Sequence, residues 1–410
     1  MRKLVGLVLG IMAMYSAEAQ QALQQGKWRA YLHRKDGNDI VWQFSLQWQA
    51  NKPLLYILNA DEKYKVDEVT LKGDSLFITM PVFESSFKAR IIAKDSIAGE
   101  WIKGTPNGNT TMPFSATAKQ PVRFAATGKA LTNLSGKWSA TFTSARKGGE
   151  GSPAIALFKQ QNNIVKGSIL TPTGDYRFLE GVVDGNTLKL STFDGSHAFL
   201  ITATVDKNKI SNGSFYSGAM GNASWTAVRN DTATLPDLAA MYLKNGEDGR
   251  LNFTFKDLDG KPVSIKDAQF KNKVVVIQLL GSWCPNCMDE TAFLSDWYKK
   301  NHQRGVEIIG LAYEYSTDFA RSQRDLRRFQ QRFKVDYPML ITGVTVMDSL
   351  RTEKTLPQFT PIKTFPTSLV LDKKGVVRKI DTGFFGPGTG VYYENYKKEF
   401  EKTISELLAE

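Results

Sequence analysis

From Val274 to Leu280 the chain is apolar at every position except Gln278, and five residues later, at Pro285, a helical pattern begins. A strand of that composition is buried on both faces, which requires cover on both sides of its sheet. The flanking patterns supply it. Leu251–Phe255 and Val263–Ile265 flank Asp259-Gly260 as a hairpin, and a helical segment runs from Pro285 to about His302. The apolar strand Val306–Tyr313 follows, then a helix around 318–334, a short strand at 337–341 and a long connection to Phe365. Ser368–Leu371 and Val376–Asp381 flank Asp372-Lys373-Lys374-Gly375 as a second hairpin, and Tyr393–Leu408 closes the chain as an amphipathic helix. This order predicts an α/β domain over 251–410, a mixed sheet with helices on both faces.

The preceding two hundred residues follow a different rule. Trp42, Phe44, Leu46 and Trp48 alternate with Gln43, Ser45, Gln47 and Gln49, the period of a half-buried strand. Similar short runs recur between turns such as Lys72-Gly73-Asp74 and Asp184-Gly185-Asn186. Four landmarks repeat in register. Gly26-Lys27-Trp28 returns at Gly136-Lys137-Trp138, Gly73 at Gly185, Gly99 at Gly213 and Phe114 at Trp225, with offsets of 110, 112, 114 and 111 residues. The expectation is two successive all-β repeats, each a sandwich or small barrel, at 20–120 and 130–229. Chance matching of turn residues is the competing explanation. Residues 230–250, with Pro236, Asn245-Gly246 and Asp248-Gly249, are expected to link them to the last domain.

The apolar run Leu4–Met14 follows Arg2 and Lys3 and leads into Ala17-Glu18-Ala19. That is the pattern of a signal peptide over residues 1–19, too short for a spanning helix. Cleavage before Gln20 and export to the periplasm of a Gram-negative bacterium are expected; an uncleaved anchor is the competing reading. Removing Arg2, Lys3 and Glu18 leaves 51 basic against 40 acidic residues. Such a charge favours acidic partners non-specifically. Its densest expression, Arg321, Arg324, Arg327, Arg328, Arg332 and Lys334, falls on one helix and reads as a solvated face. Export and the lack of a binding motif argue against nucleic acid.

The chain's two cysteines, Cys284 and Cys287, stand at the junction of the buried strand and its helix. A bridge closing so small a loop barely constrains the unfolded chain, so stability is a poor reason for it and reactivity a better one. A thiolate at a helix start faces unpaired N–H groups and the positive end of the dipole, which lowers its pKa. Pro285 suits the first turn, where its missing N–H costs nothing. Cys284 is therefore expected to be the exposed nucleophile, and Cys287, one turn further in, the shielded resolver. Half of a zinc site is the alternative, but only His33, His197 and His302 could complete it, so no metal is expected.

Trp283-Cys284-Pro285-Asn286-Cys287 and Phe365-Pro366-Thr367 carry a resemblance. Residues from about 250 to 410 resemble the TlpA/ResA branch of the thioredoxin superfamily, exported or membrane-facing thiol–disulfide oxidoreductases. The resemblance implies a thioredoxin-like fold and dithiol–disulfide exchange with protein thiols and disulfides. It also implies a redox-active Cys284–Cys287 disulfide with no further cofactor, and a membrane or periplasmic electron donor or acceptor. The family's carboxylate falls on Glu290, and its cis-proline on Pro366. A cis Pro366 would lie beside the disulfide, block metal capture and turn the Thr364-Phe365 backbone toward an extended substrate segment. Trp283, Pro285, Phe365 and Thr367 are then expected to bind substrate, and the loop Gly383–Gly390 to border the groove. Thioredoxin itself carries an acid where this chain has Gln278, which cannot act as a base. That leaves Glu290 as the only acid expected to manage the Cys287 proton. Glu314 reads as a bystander.

Two rivals remain open. A peroxiredoxin-like peroxidase would need an activating hydroxyl a few residues before the cysteine, and Ser282 is the nearest one. A binding or scaffold protein would use the β-repeats, with Trp28, Trp42, Trp48, Trp101 and Trp138 lining a site, although strand aromatics are more often core.

Overall fold

The computed structural model describes residues 23–50, 52–145 and 148–410. The expected signal segment lies outside them. The described chain falls into two compact units, and the second consists of residues 153–157, 168–177 and 232–410. All-β structure fills the first unit.

The first sheet has nine strands, with the opening strand Gly26–Leu32 paired between Ile40–Gln49 and Gly108–Thr117. Bringing the first strand against the last wraps the sheet into a barrel-like form. The period-2 signal explains its core: Trp42, Phe44 and Leu46 are all buried, while Gln47 and Gln49 on the same strand are exposed. A second nine-stranded sheet follows, in which Gly151–Gln161 also pairs with Ile164–Thr171. Trp28, Trp42, Trp101 and Trp138 are buried and Trp48 is half-buried. A solvent-facing aromatic site built on those five does not exist. Their rings fill the interior instead; Trp42 stacks on Phe193 with centroids 4.3 Å apart. Corresponding landmarks of the two sheets behave alike. The indole N–H of Trp28 donates to the carbonyl of Gln24 and that of Trp138 to the carbonyl of Leu134, both at 2.9 Å. Gly73 and Gly185 both turn with φ of 59°, where a side chain would be strained.

The chain from Thr254 builds a seven-stranded mixed sheet. Its elements are β1 (Thr254–Asp257), β2 (Pro262–Ser264), β3 (Val274–Leu280), α1 (Pro285–Asn301), β4 (Val306–Ala312), α2 (Phe319–Phe333), β5 (Met339–Ile341), α3 (Arg351–Thr355), β6 (Thr367–Leu371), β7 (Val377–Thr382) and α4 (Val391–Ala409). Strand order is β2-β1-β5-β4-β3-β6-β7. β3, β4 and β5 run parallel, while β6, β7, β1 and β2 are antiparallel to their neighbours. Every residue of β3 is buried, Gln278 included, as a near-continuous apolar run demands. This is a thioredoxin-like domain. Asp318 caps α2 by accepting from the Arg321 N–H at 2.7 Å. Leu326 and Phe329 turn inward from that helix, while in the basic run Arg324 and Lys334 are exposed and Arg321, Arg327, Arg328 and Arg332 are half-buried. The long connection before Phe365 contains α3, which the sequence pattern did not announce.

Candidate redox site

β3 delivers the chain to Gly281, and the turn Gly281–Trp283 leads into α1. No side chain fits at Gly281, because a Cβ there would sit 2.1 Å from the Trp283 indole nitrogen. That indole N–H donates to the Tyr313 carbonyl at 2.9 Å, and its ring stacks on Tyr315 with centroids 5.3 Å apart. Glu314, expected to stand idle, ties the turn to the end of β4. It accepts from the Ser282 N–H at 2.8 Å and the Ser282 hydroxyl at 2.6 Å. The hydroxyl nearest the cysteines is therefore committed to a carboxylate.

Cys284 is the N-cap of α1 and Pro285 its first residue. The Cys284 Sγ accepts from the Cys287 N–H at 3.2 Å, so the sulfur meets one of the helix's otherwise unpaired donors. The two cysteines form a disulfide. Cys287 is fully buried, in line with its position one turn inside. Cys284 departs from expectation: it is not exposed, keeping only 4% of its surface. Three segments meet at the residues around it.

The first is the Thr364–Thr367 segment. The Phe365–Pro366 peptide is cis, and the Phe365 carbonyl oxygen lies 3.5 Å from the Cys284 Sγ. The Phe365 ring meets Trp283 edge-on with centroids 5.8 Å apart, and the Thr367 hydroxyl donates to the Thr364 carbonyl at 3.0 Å. Trp283 is half-buried, whereas Pro285, Phe365 and Thr367 are buried. The fold thus gathers these residues around the disulfide but leaves little of them open.

The second is the loop after β7. Its Gly383 N–H donates to the Pro366 carbonyl at 2.9 Å, which fixes loop and cis-proline segment together.

The third segment, Thr171–Arg177, is not announced by the sequence, because nothing in its composition points to a redox site. It belongs to the same compact unit as the cysteines. The Thr364 hydroxyl donates to the Thr173 carbonyl at 3.1 Å. The Asn286 amide donates to the Asp175 carbonyl and to Asp175 Oδ2, both at 3.3 Å, and the Gly386 N–H donates to Oδ2 at 2.7 Å. Arg177 forms a buried two-pronged pair with Asp289 on α1, Nε to Oδ2 and Nη2 to Oδ1, each 2.9 Å. Burial, with Asp289 adding its charge, pushes Asp175 up to about 6, against the donors of Gly386 and Arg177.

Behind the disulfide, Glu290 is 1% exposed. Its Oε2 accepts from the Gln278 amide at 2.8 Å, and its Oε1 from Ser368 and Tyr396 hydroxyls, each at 2.9 Å. Burial drives its pKa up to about 7 although all three donors oppose the rise, and Asp381 adds to it. Burial also raises Asp381 itself, and Tyr396 is held well above its ordinary range. Gln278 is the hub: its amide N–H₂ also approaches the Cys287 carbonyl at 3.4 Å, and its Oε1 accepts from Thr291 at 2.8 Å. Glu290 is not the only acid close to the motif. Asp289 stands beside it on α1, buried and paired to Arg177, and Asp175 faces Asn286. Of these acids, Glu290 is the one hydrogen-bonded to Gln278, which links it to the backbone of Cys287.

Among the described residues, no group of three or more His, Cys, Asp or Glu could hold a metal ion, and no helix is long and apolar enough to cross a membrane.

Residues 248–380 match the AhpC/TSA family. The thiol-disulfide oxidoreductase ResA of Bacillus thuringiensis subsp. konkukian (strain 97-27) is 31% identical over 149 residues, which span 36% of this chain and 74% of that protein. ResA of Bacillus subtilis (strain 168) is 26% identical over 133 residues, 32% of this chain and 64% of that protein. A solved thiol:disulfide interchange protein of the thioredoxin family from Chlorobium tepidum TLS shares 21% identity, covering 39% of this chain and 95% of that one, with a TM-score of 0.29.

Proposed function

This chain belongs, through its C-terminal domain, to the ResA family of thiol–disulfide oxidoreductases, and on that premise we propose that it is an exported reductant of protein disulfides. The observation that carries this reading is the Cys284–Cys287 disulfide, set at the start of α1 against the Phe365–Pro366 segment. In the dithiol form, the Cys284 thiolate attacks one sulfur of a substrate disulfide. The Cys284–substrate bond forms, the substrate bond breaks, and the first substrate sulfur leaves as a thiolate. Cys287 then loses its proton and attacks the Cys284 Sγ. The Cys284–Cys287 bond forms as the second substrate sulfur departs. Two electrons pass to the substrate, and the protein returns to the dithiol state by exchange with an external dithiol.

The roles follow position. The N–H groups at the start of α1 favour negative charge on Cys284 Sγ, the atom that accepts from the Cys287 N–H. Glu290 receives the Cys287 proton, an assignment supported by a pKa near the working pH and by its link through Gln278 to Cys287. Pro366 and Phe365 border the disulfide, and Trp283 offers its half-buried ring to the incoming chain. Export rests on Arg2, Lys3, the apolar run Leu4–Met14 and Ala17-Glu18-Ala19.

The test is stoichiometric. Reduced protein mixed with a disulfide-bonded protein should lose both thiols as the substrate gains two. Cys284→Ser should abolish transfer. Transfer that survives this substitution would remove Cys284 from the reaction.

A further inference from the structure

Cys284 is the sulfur a partner must reach, yet it is nearly enclosed in the disulfide state. The enclosure is uneven in kind. Phe365–Pro366 and the loop after β7 are parts of the sheet and its connections, joined by the Gly383-to-Pro366 hydrogen bond. Thr171–Arg177 is a turn from a distant part of the sequence, more than a hundred residues before the cysteines, whose tip makes its contacts with groups that border the disulfide.

Those contacts are of the kind an extended protein segment would make. The Thr173 carbonyl takes the Thr364 hydroxyl, on the segment that also carries the Phe365 carbonyl beside Cys284. Asp175 takes the side chain of Asn286, the residue between the two cysteines, and the N–H of Gly386. Gly174 passes so close to Asn286 that a Cβ would sit 2.6 Å from its Oδ1, and its φ of 143° suits glycine. The approach sets the backbone of the turn tight against the Asn286 side chain.

The root and latch of the segment hold it in place. Ile155 and Leu170 form an apolar cluster with Ala233, against which Phe385 and Tyr392 pack. The Arg177–Asp289 pair anchors the other side directly to α1. Asp175 is further held within its own turn, accepting from Ser168 at 3.2 Å and from the Arg177 N–H.

We propose that Thr171–Arg177 is a built-in strap over the redox site: it occupies the place of a partner protein's extended segment beside Cys284, held by the Arg177–Asp289 latch, and must withdraw before a protein partner can exchange. The strap selects by size and by chemistry. A small dithiol needs a brief opening at the Cys284 Sγ, whereas a protein needs the whole segment displaced. A successful partner offers backbone carbonyls to Thr364 and an acceptor, carboxylate or amide oxygen, to Asn286 and the Gly386 N–H.

This inference rests on the exchange reading, and the experiment separates the two. Oxidised full-length wild type, Arg177→Ala and Gly174→Val are reduced in parallel by dithiothreitol and by reduced thioredoxin, with thiols counted over time by gel shift. Gly174→Val displaces the strap by steric crowding and leaves Arg177 and Asp289 intact, so it stands if loss of Arg177 unsettles the fold; thermal melts monitor both. The expected result is that the ratio of thioredoxin-driven to dithiothreitol-driven rate rises at least about tenfold in a folded variant, since the buried ion pair no longer opposes opening in Arg177→Ala, and crowding against Asn286 already shifts the strap in Gly174→Val. An unchanged ratio in the folded variants overturns the strap while leaving exchange intact. Failure of dithiothreitol-reduced wild type to pass electrons to a small disulfide instead overturns the exchange reading.

Discussion

The carboxylate of Glu290 accepts a 2.8 Å hydrogen bond from the amide of Gln278, which stands on β3 six residues before Cys284 and also approaches the Cys287 carbonyl at 3.4 Å. An acid on the helix and the backbone carbonyl of the resolving cysteine thus share one neutral amide on the strand.

The kinetic consequence is specific. With a pKa near 7, Glu290 is charged and able to accept a proton only at and above neutral pH. Wild-type release of the mixed disulfide should accelerate through pH 7. Glu290→Gln should lose that inflection and run at least about tenfold slower at pH 8, with Cys284 alkylation close to wild type. Single-turnover reduction of a disulfide substrate across pH 5 to 9 measures both. Identical profiles would leave Glu290 with no part in proton transfer.

The same acid makes stability depend on pH, with a definite sign. Its folded pKa, about 7, lies above the ordinary value of 4.5, so the folded state binds the extra proton between those limits. Stability should therefore be full below about pH 4.5 and fall as pH rises toward 7, by roughly 3 kcal/mol from this group. Asp175, raised from 3.8 to about 6, adds a loss of the same sign in a lower window. Chemical denaturation of the oxidised protein from pH 5 to 8 should show the decline, and Glu290→Gln should flatten its upper part. A wild-type curve that rises over this range contradicts the burial argument.

Gln278→Leu takes a donor from Glu290 and the acceptor from Thr291. It should cost about 1–3 kcal/mol, more at pH 8 than at pH 5, because the charged carboxylate has lost a partner. Denaturant midpoints at the two pH values measure it. An equal loss at both would mean that Gln278 acts by packing alone.

Sequence patterns go far in the redox domain because its signals are local. β3 reads from its own composition, α1 from Pro285 and the following periodicity, and the cysteines from their place between the two. The helix face that carries Glu290 is likewise fixed by spacing. What stays hidden is what arrives from elsewhere. Tyr396 lies 106 positions from Glu290 and Ser368 lies 78, and neither spacing carries a periodic signal. Glu314 earns its role only because β4 runs parallel to β3 and sets it under Ser282. The contact on Asn286, between the two cysteines, comes from a turn 111 positions earlier, in a stretch whose local pattern is that of any β-hairpin. In the β sheets, alternation identified the strands and their buried face, whereas it could not tell a ligand-lining tryptophan from a core one.

Trp42 tests that distinction. It is buried and stacked on Phe193. Trp42→Ala should destabilise the β-unit by about 3–5 kcal/mol without changing the rate at which the folded protein exchanges disulfides. Calorimetry and the exchange assay together decide it. A stable variant would place the ring outside the core.

The most direct test of the redox assignment uses the two single-cysteine variants. Cys287→Ala keeps the attacking sulfur and removes the resolver, so it should accumulate protein partners in covalent complexes on Cys284, visible on non-reducing gels after acid quenching and lost on reduction. Cys284→Ala should trap almost none, since the Cys287 Sγ is fully buried in the helix. Equal trapping by the two variants, or trapping on Cys287 alone, would contradict the assignment of nucleophile and resolver.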